Sequence, residues 1–338
     1  MKNENSIKRG VSLYSYQEEY FLRKMSLEDC IATSAKLGAL GIESIAEQMM
    51  PGFPNLSETF YDQWHTWMEQ YGTVSICHDM FLDVKKYKGR LFTEDEMLAS
   101  VIRDLKHANR LGCTVMRCIV TTPPEIMAKA ASYAEKYNVR LGLEIHAPFN
   151  LDHPWIQQHL EMYEKVKSPF LGIIPDMGIF EKRFPRVRSD RYIRRGAHPH
   201  IVQYISDAYA AHGDMSGLID DVKKMGANNL DLAMANDIQH MTYVDPRRLL
   251  DHMSISFHIH GKFYEMLDDY TEYSIPYAEI VSVLKEGGYT GYISSEYEGN
   301  RHIQDAFDVD SVEQIRRQQV MLKRLIGEQV ESEANYVR

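Results

Sequence analysis

The chain has 338 residues, 44% hydrophobic and 25% charged, a balance that suits one large buried core and excludes low-complexity or fibrous architectures. Its 38 basic and 48 acidic residues leave a net charge of −10 with no dominant basic tract, which argues against nucleic acid as the main partner. No apolar run reaches the length of a membrane span, and the opening MKNENSIKRG lacks an apolar h-region, so the expected setting is the cytoplasm, away from membranes.

The elements alternate from the start. GVSLYSY (10–16) reads as a short apolar and aromatic strand. Ser26 and Asp29 then form a capping-box pattern, with Leu27, Cys30, Ile31 and Ala35 as the inner face of a helix that stops at Gly38. GIESIAEQ (41–48) is the second strand, Trp64–Tyr71 the end of the next helix, and TVSICHD (73–79) the third strand. Thr93 and Glu96 cap a helix with inner positions Met97, Val101, Leu105 and Ala108, ending at Gly112. TVMRCIV (114–120) is the fourth strand, and Pro124 opens a helix that leads to the fifth, LGLEIHAP (141–148). LGIIPD (171–176), SISFHIH (254–260) and GYISSEYEG (291–299) complete eight strands, and Ser311–Ile326 is the closing helix. Cys30, Cys77, Cys113 and Cys118 have apolar neighbours and no CxxC spacing, and read as reduced core thiols.

Eight alternating βα units without a GxGxxG fingerprint after the first strand predict a single α/β domain over residues 1–338, a (β/α)8 TIM barrel. Asp176 to His260 spans 84 positions, against 32 from Glu144 to Asp176 and 36 from His260 to Glu296. An insertion at about 177–252 therefore follows strand six, on the face where such barrels keep their active sites. It opens with Lys182, Arg183, Arg186, Arg188, Arg191, Arg194 and Arg195, and reads as a lid or partner-docking segment.

Glu144, Asp176, His260 and Glu296 fall at the ends of consecutive strands five to eight, so barrel closure brings them round one point. Three carboxylates and an imidazole suit one divalent ion, Mn2+ first, with Mg2+, Co2+ or Zn2+ as alternatives. An octahedral shell would keep about two positions for adjacent sugar oxygens. A ketone held there acidifies the neighbouring C–H for removal through an enediolate-like transition state. His78, His258, Lys262 and Glu298 are candidate contacts to sugar hydroxyls, and Tyr14, Tyr16 and Trp155 are aromatic residues that could stack on a sugar or aglycone.

On LEIH, IPD, HIHGK and SEYEG, residues 10–300 resemble the sugar isomerase and epimerase branch of the xylose isomerase-like barrels, in which glutamate, aspartate, histidine and a second glutamate bind one metal. That pattern selects His260 as the ligand and leaves His258 as its neighbour. Within the superfamily, the EIH motif, the long basic insert and HIHGKF are most similar to the catalytic alpha subunit of bacterial C-glycoside deglycosidases. The resemblance implies a glycoside substrate oxidised at its 3-hydroxyl, a smaller beta subunit and a higher hetero-oligomer. It also implies His146 as the base that removes the C2 proton, with elimination across C1 and C2 releasing an aromatic aglycone such as a flavonoid. Ketose epimerases are expected to carry a histidine three residues after the aspartate ligand, where this chain has Ile179. A sugar isomerase or epimerase is thus the second reading, followed by an abasic-site endonuclease or a sugar-binding protein without turnover.

Overall fold

The computed structural model describes residues 6–328; the polar stretch weighed above begins outside this range. Eight parallel strands are present: β1 (Lys8–Ser12), β2 (Gly41–Ser44), β3 (Val74–Met80), β4 (Val115–Cys118), β5 (Arg140–Ile145), β6 (Leu171–Pro175), β7 (Ile259–Phe263) and β8 (Tyr292–Tyr297). Their order is β6-β5-β4-β3-β2-β1-β8-β7, the circuit of a (β/α)8 barrel. All five residues of β6 and all but the first of β5 are buried, which is why these strands read as near-continuous apolar runs rather than alternating ones.

Between β6 and β7 the ladder is reduced to two isolated parallel bridges, Ile173–Ser256 and Asp176–His260. This corrects the expected strand at 254–260. The chain arrives through a 3-10 run, Pro246–Ile255, and regular pairing starts at Ile259. Gly172 is the reason the seam can be so close: a Cβ there would lie 2.3 Å from the Ile255 carbonyl oxygen and 2.6 Å from the Phe257 ring. The first strand is also shorter than expected. After Ser12 the backbone turns into a 3-10 segment, Leu13–Tyr16, and the Ser15 hydroxyl replaces ladder bonds, donating to Ser295 O and accepting from the Tyr297 N–H, both at 2.9 Å.

The helices start and stop where local chemistry directs. Capping boxes at Ser26/Asp29 and Thr93/Glu96 satisfy the first amides of Leu27–Lys36 and Glu94–Leu111, and Pro124 opens Pro124–Tyr137. In the first of these the inner face includes Ser34 rather than Ala35; its hydroxyl donates to Cys30 O at 2.9 Å. Ser311–Ile326 locks the sheet by side-chain amides: Gln318 donates to Gly261 O and Gln319 to Gly10 O, at 2.7 and 3.0 Å.

Four helices, Arg186–Arg194, Pro199–Ala210, Leu218–Lys224 and Asn229–Ile238, lie between β6 and β7. They bury an apolar cluster of their own, including Ile201, Ile205, Val222, Met234 and Ile238. The four cysteines are buried and free, and among the described residues no helix is long and apolar enough to cross a membrane.

Gly172→Ala is expected to destabilise the fold by about 1–3 kcal/mol, because the contacts it crowds include backbone that cannot move without opening the seam. Urea unfolding monitored by far-UV circular dichroism measures this, and an unchanged midpoint would show that the seam relaxes freely.

Candidate metal centre and catalytic cavity

One donor atom from each of Glu144, Asp176, His260 and Glu296 lies within 4.8 Å of the others. Strand register produces this. Asp176 bridges His260 across the seam, and Lys262 is level with Glu296 across β7 and β8. His260 directs Nδ1 into the cluster, 2.9 Å from Glu144 Oε1 and 3.4 Å from Glu296 Oε2. Asp176 Oδ1 accepts the Gly178 N–H at 2.7 Å, which leaves Oδ2 facing Lys262 Nζ at 2.7 Å. Lys262 also lies 2.9 Å from Glu298 Oε2.

The electrostatics follow from burial. Burial pushes the Glu144 carboxyl up, but the Arg117 guanidinium and the His260 imidazole outweigh it and hold the group well below the usual carboxylate range. For Asp176, burial prevails over Lys262 and the carboxyl is pushed up to about 6. Burial disfavours the His260 cation, yet Glu43, Glu296 and Glu144 raise its affinity for a proton well above the ordinary value. Such a field calls for a cation. Asp176 Oδ2 and Glu296 Oε2 are buried and met only by the ion pairs to Lys262 and His260, at 2.7 and 3.4 Å. The donor set therefore fits a divalent ion that prefers oxygen with one nitrogen.

Behind the cluster stands a second row that was not singled out from the sequence. Glu43 on β2 places Oε1 3.3 Å from His260 Nε2, while its Oε2 lies 2.6 Å from His258 Nε2. A carboxylate behind a ligating imidazole fixes the ring's orientation and raises its basicity. On the other side Arg117 on β4 lies 3.2 Å from Asp79 and 3.7 Å from Glu144. The signal for both was a charged residue inside a buried strand, GIES and VMRC.

A cavity of about 540 Å³ opens above the cluster. Glu144, His146, Asp176, Lys262, Glu296 and Glu298 line it, and His260 is fully buried beside Glu144. His146 Nδ1–H donates to Ala147 O at 2.8 Å, which leaves Nε2 as the nitrogen with a free lone pair. Two expected sugar contacts lie elsewhere. His78 is held between Asp104, at 3.0 Å, and the Ser44 hydroxyl, at 3.2 Å, while His258 is turned to Glu43; neither lines the cavity. Tyr14 does line it and donates to Glu298 Oε1 at 3.2 Å, whereas Tyr16 is fully buried and Trp155 donates to Val120 O at 2.7 Å outside it. Arg188 from the insertion's first helix, Tyr264 from the loop after β7, and Arg301 and His302 from the short helix Asn300–Ile303 add to the wall.

The fold is a (β/α)8 barrel with a four-donor cluster able to hold a metal at the ends of its strands. Residues 31–325 match the family model described as xylose isomerase-like TIM barrel. The 3'-dehydrocarminate deglycosidase alpha subunit of a Microbacterium species is 31% identical, covering 96% of this chain and 97% of that protein. The C-glycoside deglycosidase alpha subunit of Microbacterium trichothecenolyticum is also 31% identical, covering 90% and 88%. Among solved structures, an L-ribulose 3-epimerase superposes with a TM-score of 0.56 at 14% identity, covering 95% of both chains. The IOLI protein with a bound zinc atom superposes at 0.55 and 13%, covering 95% of this chain and 98% of that one; these two show the shared fold. The chain belongs to the xylose isomerase-like TIM barrels and, within them, to the family of the C-glycoside deglycosidase alpha subunits.

Glu43→Gln is expected to weaken Mn2+ binding about 10–100-fold while leaving the four donors in place. Calorimetric titration of the folded variant measures this, and wild-type affinity would show that Glu43 does not brace the imidazole.

Proposed function

We propose that this chain is the catalytic subunit of a deglycosidase that cleaves the C–C bond between a 3-oxo sugar and an aromatic aglycone. The observation that carries the reading is the meeting, in one cavity, of the four-donor cluster with His146 on its wall, in a chain 31% identical to deglycosidase alpha subunits over nearly its whole length. Glu144, Asp176, His260 and Glu296 would hold the ion, Mn2+ first, and it would supply Lewis acidity to the sugar's 3-ketone.

The remaining steps belong to the chain's own groups. An aryl carbon offers no oxygen leaving group to protonate, so acidity must be raised at C2 instead. His146 Nε2, kept free by the bond from Nδ1–H to Ala147 O, takes the C2 proton. The C2–H electron pair becomes the C1–C2 double bond as the bond from C1 to the aglycone breaks. That bond's pair leaves with the aglycone carbon, which then takes a proton. Lys262 and Glu298 present a donor and an acceptor at the cavity wall for the sugar hydroxyls. Arg117 keeps Glu144 ionised and in place. The alpha-subunit names of the relatives support a second subunit as partner; that this partner is a smaller beta subunit, that the two form a higher hetero-oligomer and that they work in the cytoplasm belong to the same proposal.

His146→Ala is expected to keep the Mn2+ affinity of the wild type and to lose aglycone release by at least about 100-fold. In D2O, proton NMR of a 3-oxo glycoside with the Mg2+-loaded protein, alone and with a candidate beta subunit, follows the C2 proton directly. Loss of that proton together with aglycone release supports the reading. Exchange on free ketoses without aglycone release would replace it with isomerase or epimerase chemistry.

A further inference from the structure

Next to the catalytic cavity lies a smaller one of about 180 Å³, lined by Arg188, Arg191, Tyr192, Arg195, Asp237 and His302. The two adjoin, since Arg188, Asp237 and His302 line both. Arg188 and Arg191 are three residues apart and Arg195 follows four later, so the helix Arg186–Arg194 and its cap present all three on one face.

The cations at the start of the insertion differ in their partners, and Arg183 lies over the Tyr273 ring at 4.4 Å. Lys182 pairs with Glu279, Arg186 with Glu265 and Arg194 with Asp305, each tying the insertion to the barrel. Among the described residues, Arg188, Arg191 and Arg195 make no such ion pair. Arg188 lies over the Phe184 ring at 4.5 Å, and the buried Nε of Arg191 has no hydrogen-bond partner. A partly buried guanidinium without an ion pair is costly; Arg188 and Arg191 are partly buried and Arg195 exposed, Glu181 and Glu298 act on Arg188 by charge alone, and Asp237, which shares the lining, already accepts the Tyr192 hydroxyl. Burial, followed by Arg188, pushes His302 down to about 4, so at neutral pH its ring offers hydrogen bonding without charge.

We infer that Arg188, Arg191 and Arg195 form an anion subsite that holds the carboxylate of an acidic aromatic aglycone. A planar guanidinium fork matches a carboxylate in two parallel bonds. Of the other cations on the wall of the catalytic cavity, Arg117 is paired with Asp79 and Glu144, Lys262 with Asp176 and Glu298, and Arg301 stands 3.8 Å from Glu298 and over the Tyr14 ring at 4.8 Å. The cluster of ligand carboxylates repels an acid, so the acidic end of the substrate points away from it, towards the arginines. The assignment of that acid to an aglycone rests on the deglycosidase reading; the anion subsite itself does not.

Binding of a sugar-free aromatic acid separates the two. 2-Naphthoate and its uncharged analogue 2-naphthamide are titrated by calorimetry into the full chain and into Arg191→Gln and Arg195→Gln, the second an exposed position chosen in case the first disturbs folding. The expected result is that naphthoate binds more tightly than naphthamide and that either variant weakens naphthoate about ten- to hundred-fold, with naphthamide unaffected. Equal binding of the two probes, or variants that bind naphthoate like the wild type, would overturn the subsite. So would loss of beta-subunit association in the variants without any naphthoate binding by the wild type, which would make the arginines a docking surface. Turnover is read separately as the kcat/KM ratio for 3-oxo glycosides bearing an aryl carboxylate against their methyl esters. Naphthoate binding without turnover of either glycoside would keep the subsite and remove the deglycosidase reading.

Discussion

Negative charge gathered in the dry interior of a barrel is the constraint on which the rest of this structure depends. Glu43, Asp79, Glu144, Asp176 and Glu296 are all buried, at the ends of or within neighbouring strands. Carboxylates removed from water are tolerated when a cation meets them at close range, and a missing partner costs several kcal/mol (about 3–5). Arg117 serves Asp79 and Glu144 from one side, and Lys262 serves Asp176 and Glu298 from the other. His260 stands between Glu43, Glu144 and Glu296. An ion held by the four donors would complete this compensation, which ties the site's chemistry to its stability.

The same constraint explains the seam. Asp176 must sit beside His260 for the cluster to form, yet the chain between them runs through the whole four-helix insertion. A regular β6–β7 ladder is replaced by two bridges, with Gly172 allowing Phe257 to close the gap. Exposed ion pairs such as Lys182–Glu279 and Arg186–Glu265 add little free energy each, but they fix where the insertion rests on the loops after β7. A segment seated in that way can form a wall of the cavity.

Much of this was legible in the sequence because buried parallel strands have a strong signature. Short apolar runs ending in Glu144, Asp176 and Glu296 located the barrel and its open end, and capping boxes at Ser26 and Thr93 located helices. The strand before His260 misled, since SISFHIH alternates polar and apolar residues as a strand does, while Ser256 and Phe257 make seam contacts rather than ladder bonds. Glu43 and Arg117 were visible as charges inside buried strands, but their pairing with His260 and Glu144 depends on which strands face one another across the barrel. His78 and His258 stood at strand positions compatible with the cavity. Their rings turn instead to Asp104 and Glu43, a choice made by tertiary neighbours. The walls built by Tyr264, Arg301 and His302 come from the loop after β7 and a single helical turn, Asn300–Ile303, too short for any periodicity to show.

The proposed elimination and an epimerisation ask different things of this site. Inverting a carbon centre needs a base on one face and an acid on the other. Here Ile179 is packed in the core where the epimerase pattern calls for a histidine, and two imidazoles reach the wall, His146 two residues after Glu144 and His302 beside the arginines of the insertion. An elimination needs one base and a leaving group. In the proposed reaction the base is His146, and the leaving aryl carbon must be held in line as its bond to the sugar breaks, since misplacement by an ångström costs orders of magnitude in rate. In that proposal the metal-site residues would hold only the sugar. Orientation of the aglycone therefore has to come from the far wall, which is the wall where the insertion places Arg188 beside its two unpaired neighbours.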